Sequence, residues 1–135
     1  MTIRVLIIDD EPIYSKSIAL YLGSEVFDIA LEYSGKAGLN YLAKHPDTDL
    51  VLLDLMMPDM YGIDVLEAIK NSATLKHIPV ILQTGMVNET EIIRGMNAGA
   101  ADCLRKPFKR QKLLDTVRRL TSGNNAPVPL SATSA

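Results

Sequence analysis

The run Leu50-Val51-Leu52-Leu53 has no polar residue and then ends in Asp54. A half-exposed strand alternates apolar and polar residues. One that does not alternate must be covered on both faces, which is the position of a central strand in a parallel sheet. The flanking sequence fits that requirement. "IRVLII" (3–8), "FDIALE" (27–32), "LVLLDL" (50–55), "IPVILQ" (78–83) and "DCLR" (102–105) read as five strands. Between and after them lie longer stretches with apolar residues at helical spacing: Ile13, Ile18, Tyr21 and Leu22; Ala37, Tyr41 and Leu42; Ile63, Leu66 and Ile69; Ile92, Ile93 and Met96; Leu113, Leu114, Val117 and Leu120. Pro12 suits a first helical turn, Ser34 an N-cap, Asn88 with Glu91 a capping box, and Gly62 and Gly99 an opening and an end. Five strand–helix alternations predict an α/β fold, a doubly wound parallel sheet with helices on both faces.

At 135 residues the chain has the length of one domain with one core. A formal net charge of −2 argues against wholesale nucleic-acid binding. The single cysteine, Cys103, excludes an internal disulfide and fits a reducing cytosol. No apolar run approaches the roughly 20 residues of a membrane span, and the first twelve residues become acidic too soon for a signal peptide. The expectation is a cytoplasmic protein with residues 1–120 as the domain. Residues 121–135, "TSGNNAPVPLSATSA", have no periodic apolar face and read as a disordered tail or the start of a linker to an absent output domain.

Ligands of parallel α/β sheets bind beyond the carboxyl ends of the strands. The residues there are Asp9 and Asp10 after the first strand, Asp54 at the third, Thr84 after the fourth and Lys106 after the fifth. Taken singly, each has a bland reading as turn or capping chemistry; their coincidence on one rim does not. Three close carboxylates repel one another, and a hard divalent cation such as Mg²⁺ (or Mn²⁺) resolves the repulsion. With Lys106 added, the site still accepts a phosphoryl group. Asp54 would be the nucleophile that forms an acyl phosphate, and Thr84 a hydrogen-bond donor to it.

The segments "VLIIDDEP" (5–12), "VLLDLMMPDMYG" (51–62), "VILQTG" (80–85) and "GAADCLRKPF" (99–108) together closely resemble the receiver domain of bacterial two-component response regulators over about residues 3 to 120. The resemblance implies a flavodoxin-like (βα)5 sheet of order 2-1-3-4-5. It implies Asp54 as phospho-acceptor, Asp9 and Asp10 as Mg²⁺ ligands with the Met56 backbone carbonyl, and Thr84 and Lys106 at the phosphoryl group, with a cis Lys106–Pro107 peptide. The implied partners are a sensor histidine kinase or histidine phosphotransfer protein and a downstream output domain or effector, with homodimerisation through the fourth and fifth helices as a family habit. The chain would be a switch rather than a turnover enzyme.

Two departures from the family stand out. Cys103 replaces the usual aromatic residue three positions before the lysine, so the signal is expected to run through Thr84 into the helix around 88–98. Met56 and Met86 occupy positions where polar residues can orient attacking water, which predicts slow loss of the phosphoryl group. The rival readings fare worse. A phosphatase of the haloacid dehalogenase type needs a second Asp where Met56 stands, and no phosphate-binding glycine loop occurs. A phosphorylation-independent pseudo-receiver usually lacks an acidic residue or the lysine, and this chain has them all. Seven basic residues between Arg105 and Arg119 read as a solvated helix face or a protein-docking face rather than as direct nucleic-acid contacts.

Overall fold

A computed structural model describes residues 2–85 and 89–121. The elements run β1 (Ile3–Ile8), α1 (Pro12–Leu22), β2 (Phe27–Glu32), α2 (Gly35–Lys44), β3 (Leu50–Asp54), α3 (Gly62–Lys70), β4 (Val80–Thr84), α4 (Glu89–Asn97), β5 (Asp102–Arg105) and α5 (Arg110–Thr121). All four strand pairings are parallel, in the order β2-β1-β3-β4-β5. The chain is thus the flavodoxin-like doubly wound sheet that its strand pattern and its resemblance imply. Among the described residues no helix is long and apolar enough to cross a membrane.

Each sheet face carries its own core. Leu6, Ile8, Val51, Leu53, Val80 and Leu82 pack with α2 and α3 residues such as Leu42, Leu66 and Ile69. Val5, Ile7, Leu52, Ile81 and Leu104 pack with Ile18 and Leu22 of α1 and Leu113, Leu114 and Val117 of α5. Every residue of β3 and β4 is buried, as the missing alternation in "LVLL" requires. Each apolar side chain among them contributes roughly 1.5–3 kcal/mol on leaving water.

Three local expectations are corrected. β4 begins at Val80, not Ile78, because Pro79 cannot donate to the ladder. Ile78 instead closes a turn by donating its N–H to the Leu75 carbonyl (2.9 Å). In α1 the inward positions are Ser15, Ile18 and Leu22. Ile13 lies about 200° around the helix from Ser15 and is 83% exposed; Tyr21 is also exposed. In α4 the residue facing the sheet is Gly95, and Ile93 and Met96 are exposed. A Cβ at Gly95 would lie 2.2 Å from Leu82 Cδ1, so the leucine has taken the room that a larger helix residue would need. Asn88 of the expected capping box and residues 122–135 of the expected tail lie outside the described residues.

The turn after β3 is fastened at both ends. The Asp59 carboxylate accepts the N–H groups of Gly35 (3.0 Å) and Lys36 (3.1 Å), and Ser34 Oγ accepts that of Ala37 (3.1 Å), so α2 starts on two side-chain caps. Those amides, Gly35 first, hold the Asp59 carboxyl below the usual carboxylate range. At the other end Gly62 donates to the Leu55 carbonyl (2.9 Å) and leaves no room for a side chain. A Cβ there would lie 2.5 Å from the Asp54 carbonyl oxygen and 2.6 Å from Leu55 Cα, both backbone atoms. Gly62→Ala is therefore expected to destabilise the fold by about 1–3 kcal/mol, although alanine is the better helix former. Urea denaturation reads this directly; an unchanged midpoint would mean that α3 moves off β3 without cost.

Candidate functional site

Side-chain alternation sets the site. Ile7, Leu52 and Ile81 belong to one apolar layer on the α1/α5 face of the sheet. The next residue on that face of each strand is Asp9, Asp54 and Gln83 respectively. The layer therefore gives way to polar groups at one level, where the strands end. Asp10 follows Asp9, and the three aspartates bring carboxylate oxygens within 4.8 Å of one another. Asp9 and Asp54 are buried, and Asp10 is half-buried.

Lys106 stands one residue beyond β5, and its N–H donates to the Thr84 carbonyl at 2.7 Å, joining the ends of β4 and β5. The Lys106–Pro107 peptide is cis. The ammonium lies 2.9 Å from Asp9 Oδ2 and 3.8 Å from both Asp54 Oδ2 and Glu11 Oε1. The Tyr14 ring covers it, with Nζ 4.2 Å from the centroid. The lysine thus pairs first with Asp9 and lies within reach of Asp54.

One ammonium does not balance three carboxylates, and Asp54 registers the imbalance. Burial, countered by Lys106 and reinforced by Asp9 and Asp10, raises its carboxyl from 3.8 to about 6. The Met56 N–H, donating to Asp54 Oδ1 at 3.3 Å, pulls the other way. Buried, all-oxygen and over-negative, this donor set fits a hard divalent cation held by Asp9, Asp10 and Asp54. The remaining expected residues divide. Thr84 is the buried last residue of β4, and Met56 is exposed beside Asp54. Met86 lies outside the described residues. Cys103 is half-buried against the α2/α3-side core, and burial pushes its thiol up, away from the reactive thiolate. Both histidines are exposed, His45 stacking on Tyr41.

Sequence reading missed three members of this neighbourhood: Tyr14, Glu11 and Gln83. Gln83 is fully buried and donates Nε2–H to Asp9 Oδ2 at 3.3 Å, while its Oε1 has no partner among the described residues. An unpartnered buried carbonyl costs about 1–3 kcal/mol. The signal was an amide closing the otherwise apolar run "VIL" before Thr84. Tyr14 and Glu11 gave no such signal, because only the fold brings them to Lys106.

The raised Asp54 value fixes a pH dependence. A carboxyl raised from 3.8 to about 6 by folding contributes stability that is complete below about pH 4 and lost as pH rises through about 6. Without metal, Asp54→Asn is expected to stabilise the protein at pH 7 by roughly 1–3 kcal/mol and by less at pH 4. Urea denaturation in EDTA at the two pH values tests this; an equal gain at both would refute it.

The family model described as the response regulator receiver domain matches residues 5–118. The DNA-binding response regulator MtrA of Mycolicibacterium smegmatis is 33% identical over 128 residues, covering 94% of this chain and 54% of that protein. The cell cycle response regulator CtrA of Brucella ovis is 35% identical over 117 residues, covering 87% and 49%. This chain therefore spans about half the length of the curated relatives it matches. A CheY-like response regulator receiver domain protein from Methanospirillum hungatei superposes with a TM-score of 0.80 at 26% identity, over 90% of this chain and 95% of that one. With the parallel order β2-β1-β3-β4-β5 and the Asp9–Asp10–Asp54 cluster at its carboxyl edge, the chain belongs to the response regulator receiver domain family.

Proposed function

We propose that this chain accepts a phosphoryl group on Asp54 and converts it into a change of partner binding. The observation that carries the reading is the meeting of Asp54 with Asp9, Asp10 and Lys106 at one strand-end level. At neutral pH the Asp54 carboxylate is mostly ionised despite its raised value of about 6. One of its oxygens attacks phosphorus in a phosphohistidine of a kinase or phosphotransfer protein. The P–N bond breaks, the imidazole leaves with the bonding pair, and an acyl phosphate forms. A divalent cation held by Asp9, Asp10, Asp54 and the Met56 carbonyl would neutralise charge on the transferring group. Lys106, already 3.8 Å from Asp54 Oδ2, turns toward the phosphoryl oxygens, and Thr84 donates its hydroxyl to one of them. The chain assists its own phosphorylation and turns over no other substrate.

The surroundings support docking of a donor and of an output. On α1, Ile13 beside the site and Leu20 two turns on are 83% and 81% exposed, an apolar strip suited to a donor's helices. On the other side, α4 leaves Ile93 and Met96 to solvent, for an effector, an output domain or a second copy. MtrA is described as DNA-binding; by analogy, an output domain joined to this one would carry that activity rather than the receiver itself. Several basic residues from Arg105 onward are engaged within the chain: Arg105 with Glu89, Arg110 with the Tyr21 carbonyl and Arg119 with Asp102.

Incubation with Mg²⁺ and acetyl phosphate is expected to add one phosphoryl group by intact mass to the wild type and none to Asp54→Asn; a modified Asp54→Asn would move the acceptor elsewhere. Met56 is exposed beside the acceptor and offers water no strong hydrogen-bonding group. Met56→Asn with Met86→Glu should therefore shorten the phosphoryl lifetime, followed by mass after removing acetyl phosphate. A lifetime of seconds in the wild type, or no shortening in the double variant, would contradict this.

A further inference from the structure

Gln83 occupies a position that an apolar residue would fill without penalty. Its strand partners are Asp54 on β3 and Leu104 on β5, and Ile81 below it is core. Its side chain reaches across β3 on the α1/α5 face to Asp9, two strands away in the sheet. The amide is oriented by chemistry: an ionised carboxylate only accepts, so Nε2 faces Asp9 and Oε1 is left over.

Among the described residues, three donors hold the Asp9 carboxylate. Oδ1 takes the Glu11 N–H at 2.9 Å, while Oδ2 takes both Lys106 Nζ at 2.9 Å and Gln83 Nε2 at 3.3 Å. The two donors on Oδ2 differ in kind. Lys106 ends a flexible stem and has Asp54 and Glu11 as further partners at 3.8 Å. Gln83 is rooted in a fully buried strand and has no other partner for its amide group among the described residues.

We propose that Gln83 is a positioning residue for Asp9, the fixed donor that keeps this carboxylate aligned for a divalent cation when Lys106 turns away to the phosphoryl group. The proposal rests on the phospho-accepting reading above. Gln83 touches neither the cation nor the phosphoryl group; it acts through Asp9, as outer hydrogen bonds act on metal ligands generally. The unpartnered Oε1 is the cost of placing an amide there, which a purely packing role would not require.

The test replaces Gln83 with Met, which keeps length and volume and removes the donor, and with Leu as a second apolar variant. Mg²⁺ binding is measured by isothermal titration calorimetry, and phosphorylation by acetyl phosphate is followed over a Mg²⁺ series. Both variants are expected to weaken Mg²⁺ binding about tenfold, within the range for losing an outer hydrogen bond, with the melting temperature in EDTA kept or raised. The half-saturating Mg²⁺ concentration for phosphorylation should rise in parallel, while the rate at saturating Mg²⁺ stays near wild type. Wild-type Mg²⁺ affinity in either folded variant would overturn the proposal, as would a lost maximal rate at unchanged half-saturation. If the wild type itself bound no Mg²⁺ and took no phosphoryl group, the phospho-accepting reading would fall as well; if it did both and the variants matched it, only the role of Gln83 would fall.

Discussion

The ion pair between Lys106 and Asp9, 2.9 Å long and almost out of contact with water, is the constraint around which the carboxyl edge of the sheet is arranged. Buried pairs are poor sources of stability, because desolvating both charges offsets most of their attraction. This one is also unbalanced, since Asp54 and Glu11 lie 3.8 Å from the same ammonium and Asp10 adds a third aspartate to the cluster. What tolerates the arrangement is the sheet around it. β1 and β3 are rigid, fully paired strands, and the apolar layer beneath them fixes the aspartates before any cation arrives. The pocket is held open by folding energy gathered elsewhere, which is what a site built to receive positive charge and then a phosphoryl group requires.

The fold was legible because its determinants are local. "LVLL" without alternation, Pro12 at a helix start and Ser34 as a cap each act within a few residues, and all three appear in the structure as their chemistry dictates. The meeting of Asp9, Asp10 and Asp54 was legible for a related reason: in a parallel sheet, strand ends share a rim. What escaped depended on contacts between distant elements. The exposure of Ile13 follows from which way α1 lies on the sheet, and the choice of Gly95 as the buried residue of α4 follows from Leu82 on another strand. Gln83 was legible in principle, as a polar residue in a buried run, but its partner at sequence distance 74 was not.

The same contrast bears on how a change at Asp54 reaches the surface. The helices of the α1/α5 side interlock through Ile18, Leu22, Leu113 and Val117. By comparison α4 fully buries only Gly95, with Ile92 half-buried and Ile93 and Met96 outside. Polar contacts near the surface hold much of the rest: the Tyr61 hydroxyl donates to Glu91, Arg94 pairs with Glu91 at 3.2 Å and lies 6.0 Å from the Tyr61 ring, and Arg105 pairs with Glu89. Exposed pairs contribute little each, so α4 is the helix that a small displacement can shift.

Tyr61 gives that displacement a path. It is the N-cap residue of α3, and Gly62 beside it touches the backbone of Asp54 and Leu55. A rearrangement at Asp54, which the proposed function requires, would therefore bear on Tyr61 within one residue, and the Tyr61–Glu91 hydrogen bond would carry it to α4. Thr84, the last residue of β4, precedes α4 in the chain and would offer a second approach to the same helix. Neither route needs an aromatic ring on β5. Cys103 is too small to sweep out such a ring's volume and sits half-buried with a thiol that burial disfavours ionising. Under the phospho-accepting reading, the coupling between site and surface would accordingly rest on Tyr61 and Thr84, and the weak apolar anchoring of α4 would set how far the coupling can move it.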